Sequence, residues 1–507
     1  MRKASGNGIL GVSTIDAGPV RDPVGSTAPG ALEWVDASED PPEGMTEPRI
    51  IPRAEHPISR GYIDPDALKV LYRLHRSGFK AYLVGGSVRD LLTGRTPKDF
   101  DIGTDARPQD VRRLFRNCRV IGRRFRLAHV LFDGGKLVEV STFRRRPEPE
   151  EAEPGQGGDV DLLIRSDNTF GTPAEDAVRR DFTINGLFYD ISNFAVIDYV
   201  GGVEDLERHL VRTIGEPEIR FREDPVRMMR ACEFAARLGF EMTPAVRAAI
   251  DENRREIRKS AAPRVTEELL DPLRRGWGAA TYRLWSETGL LGEIFPDLDR
   301  EVGGKAGANG LFWRMLAETD RRRAGGEVLS DASLLGVVFL PLLFSAIRTR
   351  SGGKVDAQKL LLLLEEVVNP SSVRLSLPNA AIHDLKQGLF TMGRLAELGP
   401  GDAAARRLVT KGYFPVAVGL LSLYAAASGR YRDAAFAWEE VLRRGGRTPR
   451  PGEDIRAAIP FPEALVPHET HDPNEVFLPD DVRATSRPAH RRRRRRSSGG
   501  GHPGEAA

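Results

Sequence analysis

The pattern of apolar and polar positions changes character near Gly201 and Gly202. Before them, apolar runs are short and separated by turns, and the strands that they predict are AYLV, DFDIGT, RVIG, LAHVLFD and KLVEVSTF. Helical spacing interrupts these runs in DPDALKVLYRLHRSGF, where Asp64 is placed to cap a helix that Pro65 opens. The N-terminal half of the ordered chain is therefore predicted to mix strands with helices.

After Gly202 the pattern is almost wholly helical up to about residue 450. In EDPVRMMRACEFAARLGF we expect Asp224 to cap a helix that ends at Gly239. The longest apolar run, LLGVVFLPLLFSAI, extends from Leu334 to Ile347 and contains Pro341. Because this run is too short to span a bilayer, it predicts a buried helix. The fold class expected is α+β, with strands and helices together before Gly202 and helices alone after it.

Composition gives the outer boundaries of this organisation. Residues 1–55 are rich in Gly, Pro, Ser and acidic side chains and have no apolar periodicity, which predicts a disordered leader. The region of mixed strands and helices is expected over 56–200, and the helical regions over 201–260 and 261–450. Residues 451–507 are Pro-rich and then polyarginine, which predicts a disordered basic tail.

Charge and cysteine content narrow the function classes. The chain has 507 residues, 40% of them hydrophobic, and a net charge of +3. Basic residues crowd into 112–126, 144–146 and 491–496, and such local clusters are typical of proteins that bind a phosphate-bearing partner. Two cysteines, Cys118 and Cys232, exclude a disulfide framework and a cysteine zinc site. With no signal-peptide pattern, we expect a cytoplasmic protein that does not enter a membrane.

The segment VGGSVRDLLTGRTPKDFDIGT contains the first candidate chemistry. Gly85 and Gly86 join a strand to a helix, so backbone N–H groups, the helix dipole and Arg89 together could hold an anion. A glycine pair also serves in an ordinary tight turn. The anion site is favoured over an ordinary turn by the second feature of the segment, which follows about a dozen residues later.

That second feature is the pair Asp99 and Asp101. Carboxylates one residue apart on an extended segment point to the same side, and they repel unless a cation lies between them. Oxygen ligands favour Mg²⁺, and two such ions can clamp a triphosphate and activate a hydroxyl for in-line attack. A third carboxylate would complete the site. Glu139 and Asp181 are both candidates, with a solvated strand face and a structural cap as their respective alternatives.

A further group of residues is suited to reading a base. Asp224 and Arg227 are three residues apart, and on one helix they would share a face beside Glu223. An acceptor beside a donor matches the Watson–Crick edges of adenine and cytosine, and would reject uracil and guanine. A simple ion pair within the helix is the alternative interpretation.

Several basic positions are candidates for contact with phosphate or RNA. Arg179 and Arg180 could hold phosphate or ribose, or lie on a solvated helix end. Arg123 and Arg124 precede an aromatic residue, as in segments that contact RNA. The run Arg491–Arg496 is suited to non-specific contact with a phosphate backbone. His129 and the other histidines have no spacing typical of metal ligands.

Longer motifs follow one another in an order that resembles a known family. YLVGGSVRDLLTGRTPKDFDI, EVSTFR, EDAVRRDFTINGL, DYVGG and REDPVRMMRA are similar to motifs of the class II nucleotidyltransferases of the DNA polymerase β superfamily. This family comprises the bacterial poly(A) polymerases and the CCA-adding enzymes. KDFDIGTDARPQDVRRLFRNCRVIGRRFRLAHVLF resembles the poly(A) polymerase branch in particular. The resemblance is close over 56–296, thinner up to about 450, and absent from both ends.

The resemblance implies roles for individual residues. It makes Asp99 and Asp101 the metal-binding carboxylates and Asp181 the third catalytic one. It assigns the triphosphate cradle to Gly85, Gly86 and Arg89, a nucleotide contact to Arg180, and base recognition to Glu223, Asp224 and Arg227. It implies a nucleotidyltransferase head with a five-stranded mixed sheet over 56–200. An all-α neck over 201–260 would recognise the base, and an all-α body and tail over 261–450 would bind RNA. The chain departs from expectation after Arg146, where the loop is acidic although a polymerase would favour a basic one.

The function implied is template-independent polyadenylation of RNA 3′ ends, with ATP as substrate, two Mg²⁺ ions as cofactors and pyrophosphate released, promoting RNA processing and decay. Expected partners are RNA 3′ ends and ATP, with RNA-decay proteins as further candidates; neither DNA nor a membrane is expected. CCA addition to tRNA is the alternative, and the polyarginine run favours poly(A) synthesis over it. A non-catalytic RNA-binding protein is a second alternative, which the presence of all three carboxylates disfavours.

Overall fold

The computed structural model describes residues 47–122, 126–145, 169–303, 310–351, 355–445 and 475–476. Across these ranges the chain forms a mixed α/β head followed by a succession of helices, so the expected α+β class is confirmed. The head also begins earlier than expected. The strand Arg49–Ile51 pairs with a strand of the head sheet, so the predicted leader, 1–55, overlaps ordered structure at its C-terminal end.

The head is built on one sheet of eight strands within the described residues. They are β1 (Arg49–Ile51), β2 (Ala81–Val84), β3 (Ile102–Thr104), β4 (Cys118–Ile121), β5 (Leu127–Leu131), β6 (Leu137–Thr142), β7 (Leu187–Asp190) and β8 (Ala195–Asp198). Their order across the sheet is β1-β8-β7-β2-β3-β6-β5-β4, in which only the β3–β6 pair is parallel. The mixed sheet is confirmed, but the implied number of five strands is wrong.

Five helices accompany the sheet: α1 (Pro65–Arg76), α2 (Gly86–Leu92), α3 (Pro108–Leu114), α4 (Pro173–Val178) and α5 (Gly202–Glu207). Local sequence rules explain where they begin. The Asp64 carboxylate accepts a hydrogen bond from the Asp66 N–H at 2.8 Å and caps α1, as expected. Thr172 and Glu175 form a reciprocal capping box at the start of α4. These caps orient the helices against the sheet.

The two faces of the sheet have different surroundings. Helices α1 and α3 pack on one face, over a core that includes Ile102, Ala128 and Val140. Residues one position along each strand point to the opposite face. There Gly103 leaves room for Phe143, since a Cβ at position 103 would lie 2.7 Å from the phenylalanine Cε1 atom. This second face, which α1 and α3 do not cover, is the one that presents the candidate site.

The neck and body are helical, as expected. The helices are α6 (Pro217–Glu223), α7 (Val226–Leu238), α8 (Pro244–Asn253), α9 (Ala262–Arg275), α10 (Gly278–Glu287), α11 (Leu290–Ile294), α12 (Pro296–Val302), α13 (Leu311–Ala324), α14 (Asp331–Ser351), α15 (Ala357–Arg374), α16 (Asn379–Leu395), α17 (Ala403–Val409), α18 (Phe414–Ser428) and α19 (Arg432–Arg443). Two short strand pairs join them, β9 (Leu210–Val211) with β10 (Glu241–Met242) and β11 (Val355–Asp356) with β12 (Glu475–Val476). Single 3₁₀ turns lie at Arg53–Glu55, Arg60–Tyr62, Asp133–Gly135, Thr183–Asn185 and Arg254–Lys259.

The predicted buried helix is α14, at the centre of the body. Leu334, Leu335 and Phe339 are fully buried there, and α16 and α18 pack against the helix. By length and composition alone, Asp331–Arg350 could cross a membrane, yet 72% of its most apolar window is buried inside the protein. Helices α17 and α18, which are bent relative to each other, reach such a length and apolar composition only when they are counted as one segment. The expectation of a buried core helix is therefore confirmed.

Candidate active site

The glycine turn after β2 is shaped by a backbone conformation that suits glycine. Gly85 has φ +70°, and its N–H donates to the Leu187 carbonyl at 2.9 Å. A Cβ at position 85 would lie only 2.7 Å from Nη1 of Arg180. The absence of a side chain at Gly85 therefore lets the Arg180 guanidinium approach the turn from which α2 starts.

Arg180 is held in this place by several contacts. Its guanidinium donates to the Asp176 carboxylate at 3.0 Å and to the Asn185 carbonyl at 3.3 Å, and lies 5.4 Å from the centre of the Phe188 ring. About a fifth of the side chain stays exposed. The pKa of Asp176 is lowered although burial opposes this, because Arg180 and Arg179 favour its charged form. Arg180 is thus a fixed, partly accessible cation at the glycine turn, where a nucleotide contact was expected.

The carboxylates of DFD lie on the uncovered face of the sheet. Asp101 directly precedes β3, and its carbonyl accepts a hydrogen bond from the Val84 N–H at 3.0 Å. Because β3 runs parallel to β6 with Ile102 opposite Val140, the preceding residues Asp101 and Glu139 are neighbours on that face. Asp99 and Asp101 are both exposed. Of the two candidate third carboxylates, the sheet register brings Glu139 to Asp101.

The electrostatics of Asp101 reflect this crowding. Surrounding protein atoms and then the negative charge of Glu139 raise the pKa of Asp101 to about 6; Asp99 adds to the rise and Arg180 opposes it. The residue is accessible to solvent, but neighbouring protein atoms crowd its carboxyl. This arrangement concentrates negative charge close to the cation of Arg180.

The donor atoms of this face suit a divalent cation, but the described residues do not form a complete coordination site. Asp99, Asp101 and Glu139 offer only oxygen donors, which is the set that Mg²⁺ prefers. Lys98 Nζ lies 4.0 Å from Asp99 Oδ2, and both side chains are largely exposed. Within the described ranges, however, no group of three or more His, Cys, Asp or Glu side chains is assembled to hold a metal. A bound ion would add positive charge on this face to that of Arg180 and Lys98.

Asp181 has a different environment from Asp101. Its carboxylate accepts hydrogen bonds from Arg230 Nε at 2.9 Å and Asn185 Nδ2 at 3.0 Å. Burial opposes ionisation, but Arg230, Asn185 and Arg227 outweigh it and lower the pKa of Asp181 to about 2. The resemblance implied a catalytic carboxylate here. The structure instead joins both carboxylate oxygens of Asp181 to groups of the protein.

Arg89 also lies in a different place from that expected of a triphosphate ligand. Only 2% of its side chain is exposed, and its guanidinium donates to Asp90 at 2.8 Å and to the Asn185 side chain at 2.5 Å. A Cβ at Gly86 would lie 3.4 Å from Arg89 Nη2. The guanidinium therefore supports the glycine turn from behind, and in this conformation it does not point to solvent where a phosphate would enter.

The expected base reader is divided between two helices. Glu223 ends α6, Arg227 lies in α7, and Asp224 lies between them, so Asp224 does not cap α7 with its side chain as expected. Its carboxylate instead binds Arg264 of α9 through two hydrogen bonds of 2.9 and 2.8 Å. Arg227 Nη1 lies 3.6 Å from Glu223 and its Nη2 donates to the Arg179 carbonyl. The three residues remain neighbours, but Asp224 and Arg227 do not form the simple ion pair.

Three other residues of the site were missed by the sequence reasoning. His129 faces Glu139 across β5 and β6, with 3.4 Å between His129 Nε2 and Glu139 Oε2. Arg220 is fully buried and donates to the carbonyls of Arg179 and Arg180 at 2.8 and 2.6 Å. Asn185, in the segment TIN, joins Arg89 to Asp181. Register could have indicated His129, whereas Arg220 and Asn185 are identified only by long-range contacts.

Some of the expected contacts lie outside the described residues. These are Arg123 and Arg124, the acidic part of the loop after Arg146, and Arg491–Arg496. The loop is described again from residue 169, where Thr169 accepts a hydrogen bond from the Arg145 N–H. The RNA contacts expected of these segments stay predictions.

Comparison with protein families gives two matches along the chain. Residues 81–212 match the family model described as "Poly A polymerase head domain". Residues 239–302 match the model described as "Probable RNA and SrmB- binding site of polymerase A". The first range includes the glycine turn, the DFD carboxylates and Asp181, and the second includes the whole of α9.

Individual relatives agree with these matches. The chain is 43% identical over 335 residues to poly(A) polymerase I of Escherichia coli, which covers 65% of this chain and 72% of the relative. It is 39% identical over 298 residues to poly(A) polymerase I of Haemophilus influenzae, covering 57% of this chain and 65% of the relative. A CCA-adding enzyme of Bacillus pumilus is 36% identical over 236 residues, covering 46% of this chain and 56% of the relative.

A solved structure supports the arrangement of the fold. The crystal structure of the Bacillus stearothermophilus CCA-adding enzyme in complex with CTP matches with a TM-score of 0.51 and 28% sequence identity. The match covers 75% of this chain and 82% of the other. It therefore extends well beyond the head into the helical regions.

Proposed function

The chain belongs to the bacterial poly(A) polymerase family, and from this membership we propose that it adds AMP from ATP to RNA 3′ ends without a template and releases pyrophosphate. The observation that carries this proposal is the 43% identity to poly(A) polymerase I over 335 residues. In the cell, such tails would promote RNA processing and decay.

The geometry supports a nucleotidyl-transfer site on the uncovered face of the head. Arg180 lies against the Gly85 turn and its charge reaches Asp101, so a cation and a carboxylate group flank one small region. A triphosphate needs the cation, and an activated hydroxyl needs the carboxylates. We assign phosphate binding to the Gly85–Gly86 turn and Arg180, with Arg89 as a support behind the turn.

We propose Mg²⁺ as the cofactor, held by Asp99 and Asp101, with Glu139 as the neighbouring carboxylate. When bound, it would neutralise phosphate charge and make the RNA 3′-hydroxyl easier to deprotonate. The protein itself contributes mainly by position, because a hydroxyl held close to and in line with the α-phosphate reacts far faster than one that must diffuse there. Asp181 we assign to holding Arg230 and the segment around residues 179–185.

Base selection is assigned to the junction of α6 and α7. Arg227 supplies donors, and Glu223 and Asp224 supply acceptors. Arg264 fixes the Asp224 carboxylate through both oxygens, which leaves further lone pairs for an exocyclic amine. An adenine edge offers that amine beside a ring-nitrogen acceptor, which matches this combination.

RNA 3′ ends are the partner that the family indicates, and the helical region that includes α9 is the candidate for binding them. RNA-decay proteins are proposed as further partners. We also propose a cytoplasmic location, which the two free buried thiols of Cys118 and Cys232 fit.

The proposal is tested with purified full-length protein, Mg²⁺ and one labelled nucleotide at a time. We expect many AMP residues on a generic RNA, and little addition of UMP or GMP. The control is Asp99→Asn, which keeps the size of the side chain and should abolish addition. Failure of the wild-type protein to extend any RNA with ATP would overturn the proposal.

CCA addition to tRNA remains the second candidate, because the CTP-bound CCA-adding enzyme shares the fold over 75% of this chain. A tRNA that lacks its CCA end separates the two in the same assay. Addition of two CMP residues and one AMP, followed by a stop, would replace polyadenylation as the function. Continued AMP addition to both RNAs supports poly(A) synthesis.

A further inference from the structure

Behind the glycine turn, helices α2 and α7 meet through buried charged side chains that the proposed chemistry does not use. Asp90 in α2 accepts from Arg89 Nε at 2.8 Å and from Arg237 Nη2 in α7 at 3.1 Å. The Asp90 side chain is 7% exposed and that of Arg237 is 15% exposed. One carboxylate in the head thus neutralises two arginines, one from the head and one from the neck.

A second chain of contacts runs from Arg89 to the opposite end of α7. Asn185 accepts from Arg89 with its side-chain oxygen and donates to Asp181 with its nitrogen. Asp181 then accepts from Arg230 of α7 at 2.9 Å, and Arg230 continues to Glu268 of α9 at 3.3 Å. The α7 helix is therefore bound to the head at Arg230 and at Arg237, two turns apart.

Two further contacts make this junction rigid. The Phe234 ring lies between Arg89 and Arg230, whose guanidinium carbons are each 5.2 Å from its centre. Arg95, which follows α2, donates to the carbonyls of Arg237 and Leu238 at the end of α7. The end of α7 is thus fixed to the segment that follows the triphosphate turn.

The location of these contacts suggests why they are ionic. Buried ion pairs contribute little net stability compared with apolar packing, but their directional bonds define one arrangement of the groups that they join. Here the groups joined are α2, which begins at the Gly85–Gly86 turn, and α7, which contains Arg227. The phosphate end and the base end of a bound nucleotide would be held by these two helices.

We propose that Asp90 and Asn185 are positioning residues, which keep the base-reading helix α7 aligned with the triphosphate turn so that only a fitting base places the α-phosphate for attack. This rests on the proposed function. Both side chains are buried, and we assign neither of them a contact with the nucleotide. Each acts through arginines, Asp90 through Arg89 and Arg237, and Asn185 through Arg89 and, by way of Asp181, Arg230. Misalignment should therefore affect turnover and base choice more than RNA binding.

The test compares Asp90→Asn with the wild-type protein in single-nucleotide addition. We expect kcat with ATP to fall about 10- to 100-fold, because small displacements of reacting groups have effects of this size. The preference for ATP over GTP should fall at the same time, while the Kd for RNA stays unchanged. Arg237→Gln should have a similar effect on both quantities. The double variant should be no less active than the less active of the two single variants, because both substitutions remove the same contact.

Two other variants separate positioning from folding. Arg95→Gln removes an exposed donor to the end of α7 without leaving a buried charge, so it should fold and show a smaller change in the same direction. Arg322→Gln is the matched control, because it breaks the largely buried Arg322–Glu318 ion pair in α13 of the body, a helix that contains none of the residues assigned to the site or to this junction. It should lower the Tm and leave base preference unchanged.

Nucleotide binding provides a readout that does not need turnover. The ratio of Kd values for ATP and GTP, measured by displacement of a fluorescent ATP analogue, should approach one in Asp90→Asn. If Asp90→Asn and Arg95→Gln lower the Tm like the control but leave both kcat and this ratio unchanged, the positioning role is overturned. If instead the wild-type protein extends no RNA, the proposed function fails, and the binding ratio alone decides the positioning role.

Discussion

Two aspartates of the head, Asp101 on the uncovered sheet face and Asp181 beneath the neck, have opposite electrostatic environments. Crowding and Glu139 raise the pKa of Asp101 to about 6, whereas Arg230 and Asn185 bring that of Asp181 down to about 2. The first region has more negative charge than the described protein groups neutralise. In the second region, one oxygen of the Asp181 carboxylate accepts a hydrogen bond from Arg230 and the other accepts one from Asn185.

The difference separates two uses of an acidic residue. Where carboxylates gather without matching cations, the folded chain gives up stability, and a ligand of positive charge recovers it. Where the carboxylate is matched, its role is complete within the protein, and it serves to hold other groups in place. The comparison therefore supports the roles proposed above, chemistry for Asp101 and alignment for Asp181.

The largest expected effect comes from the unmatched region. Asp101→Asn should lower kcat by at least about 10³-fold, because an electrostatic group aimed at the reacting phosphate is lost. Single-turnover addition of AMP would measure it, and RNA affinity should not change. Asp105→Asn is the control, since Asp105 is exposed nearby and accepts only from the Lys80 N–H. Equal loss of RNA binding would mean that Asp101 is structural.

The matched region should respond to acid. Asp181 has its usual pKa of 3.8 when unfolded and about 2 when folded, so its ionised form stabilises the fold above pH 4. That contribution, about 2 kcal/mol, is lost as the pH falls from about 4 towards 2. The difference in unfolding free energy between wild type and Asp181→Asn, followed by urea unfolding, should shrink over this range. A difference that stays constant with pH would argue against the matched state.

The base reader should show an effect of intermediate size. Asp224→Ala removes an acceptor while leaving Arg227 and its contacts in place. We expect the preference for ATP over UTP to fall by about 1 kcal/mol, or roughly fivefold, in competition assays. Glu218→Gln serves as the control, because it weakens an exposed ion pair with Arg222 in the same helix. Unchanged preference would assign Asp224 to holding Arg264 only.

The smallest effect on chemistry should come from the basic end of the chain. Removal of the residues after Arg487 deletes six consecutive arginines. Turnover at saturating RNA should persist, because the candidate site is in the head. The slope of log affinity against log salt should shrink by up to about 0.7 per lost phosphate contact. A truncated protein that keeps the full slope would show that these arginines bind something other than RNA.

Sequence rules predicted those features that depend on neighbours along the chain. The cap at Asp64 and the buried helix α14 both follow from spacing along one segment of the chain. The expected cap at Asp224 failed because Arg264, forty residues later, binds its carboxylate. A local rule cannot include a competitor that folding brings from another helix.

The candidate site was predictable to a similar extent. Its residue types and motif order identified Asp101 and the glycine turn, but not which acid would be unmatched. Glu139 lies beside Asp101 because of the register of β3 and β6, and Asp181 is neutralised because α7 crosses it. Strand register and helix docking are properties of the whole fold, so local sequence patterns do not predict them.

The burial of α14 has a consequence for the nascent chain during translation. Every residue assigned to the site precedes Arg264 or coincides with it, so the chemistry is encoded early in translation. Helix α14 ends at Ser351, but α18, which helps to cover it, ends only at Ser428. At roughly 5–20 residues per second, the nascent chain exposes a helix apolar enough to enter a bilayer for several seconds. A chain cut short before α18 would retain every catalytic group and still be a target for chaperones, proteases or membranes.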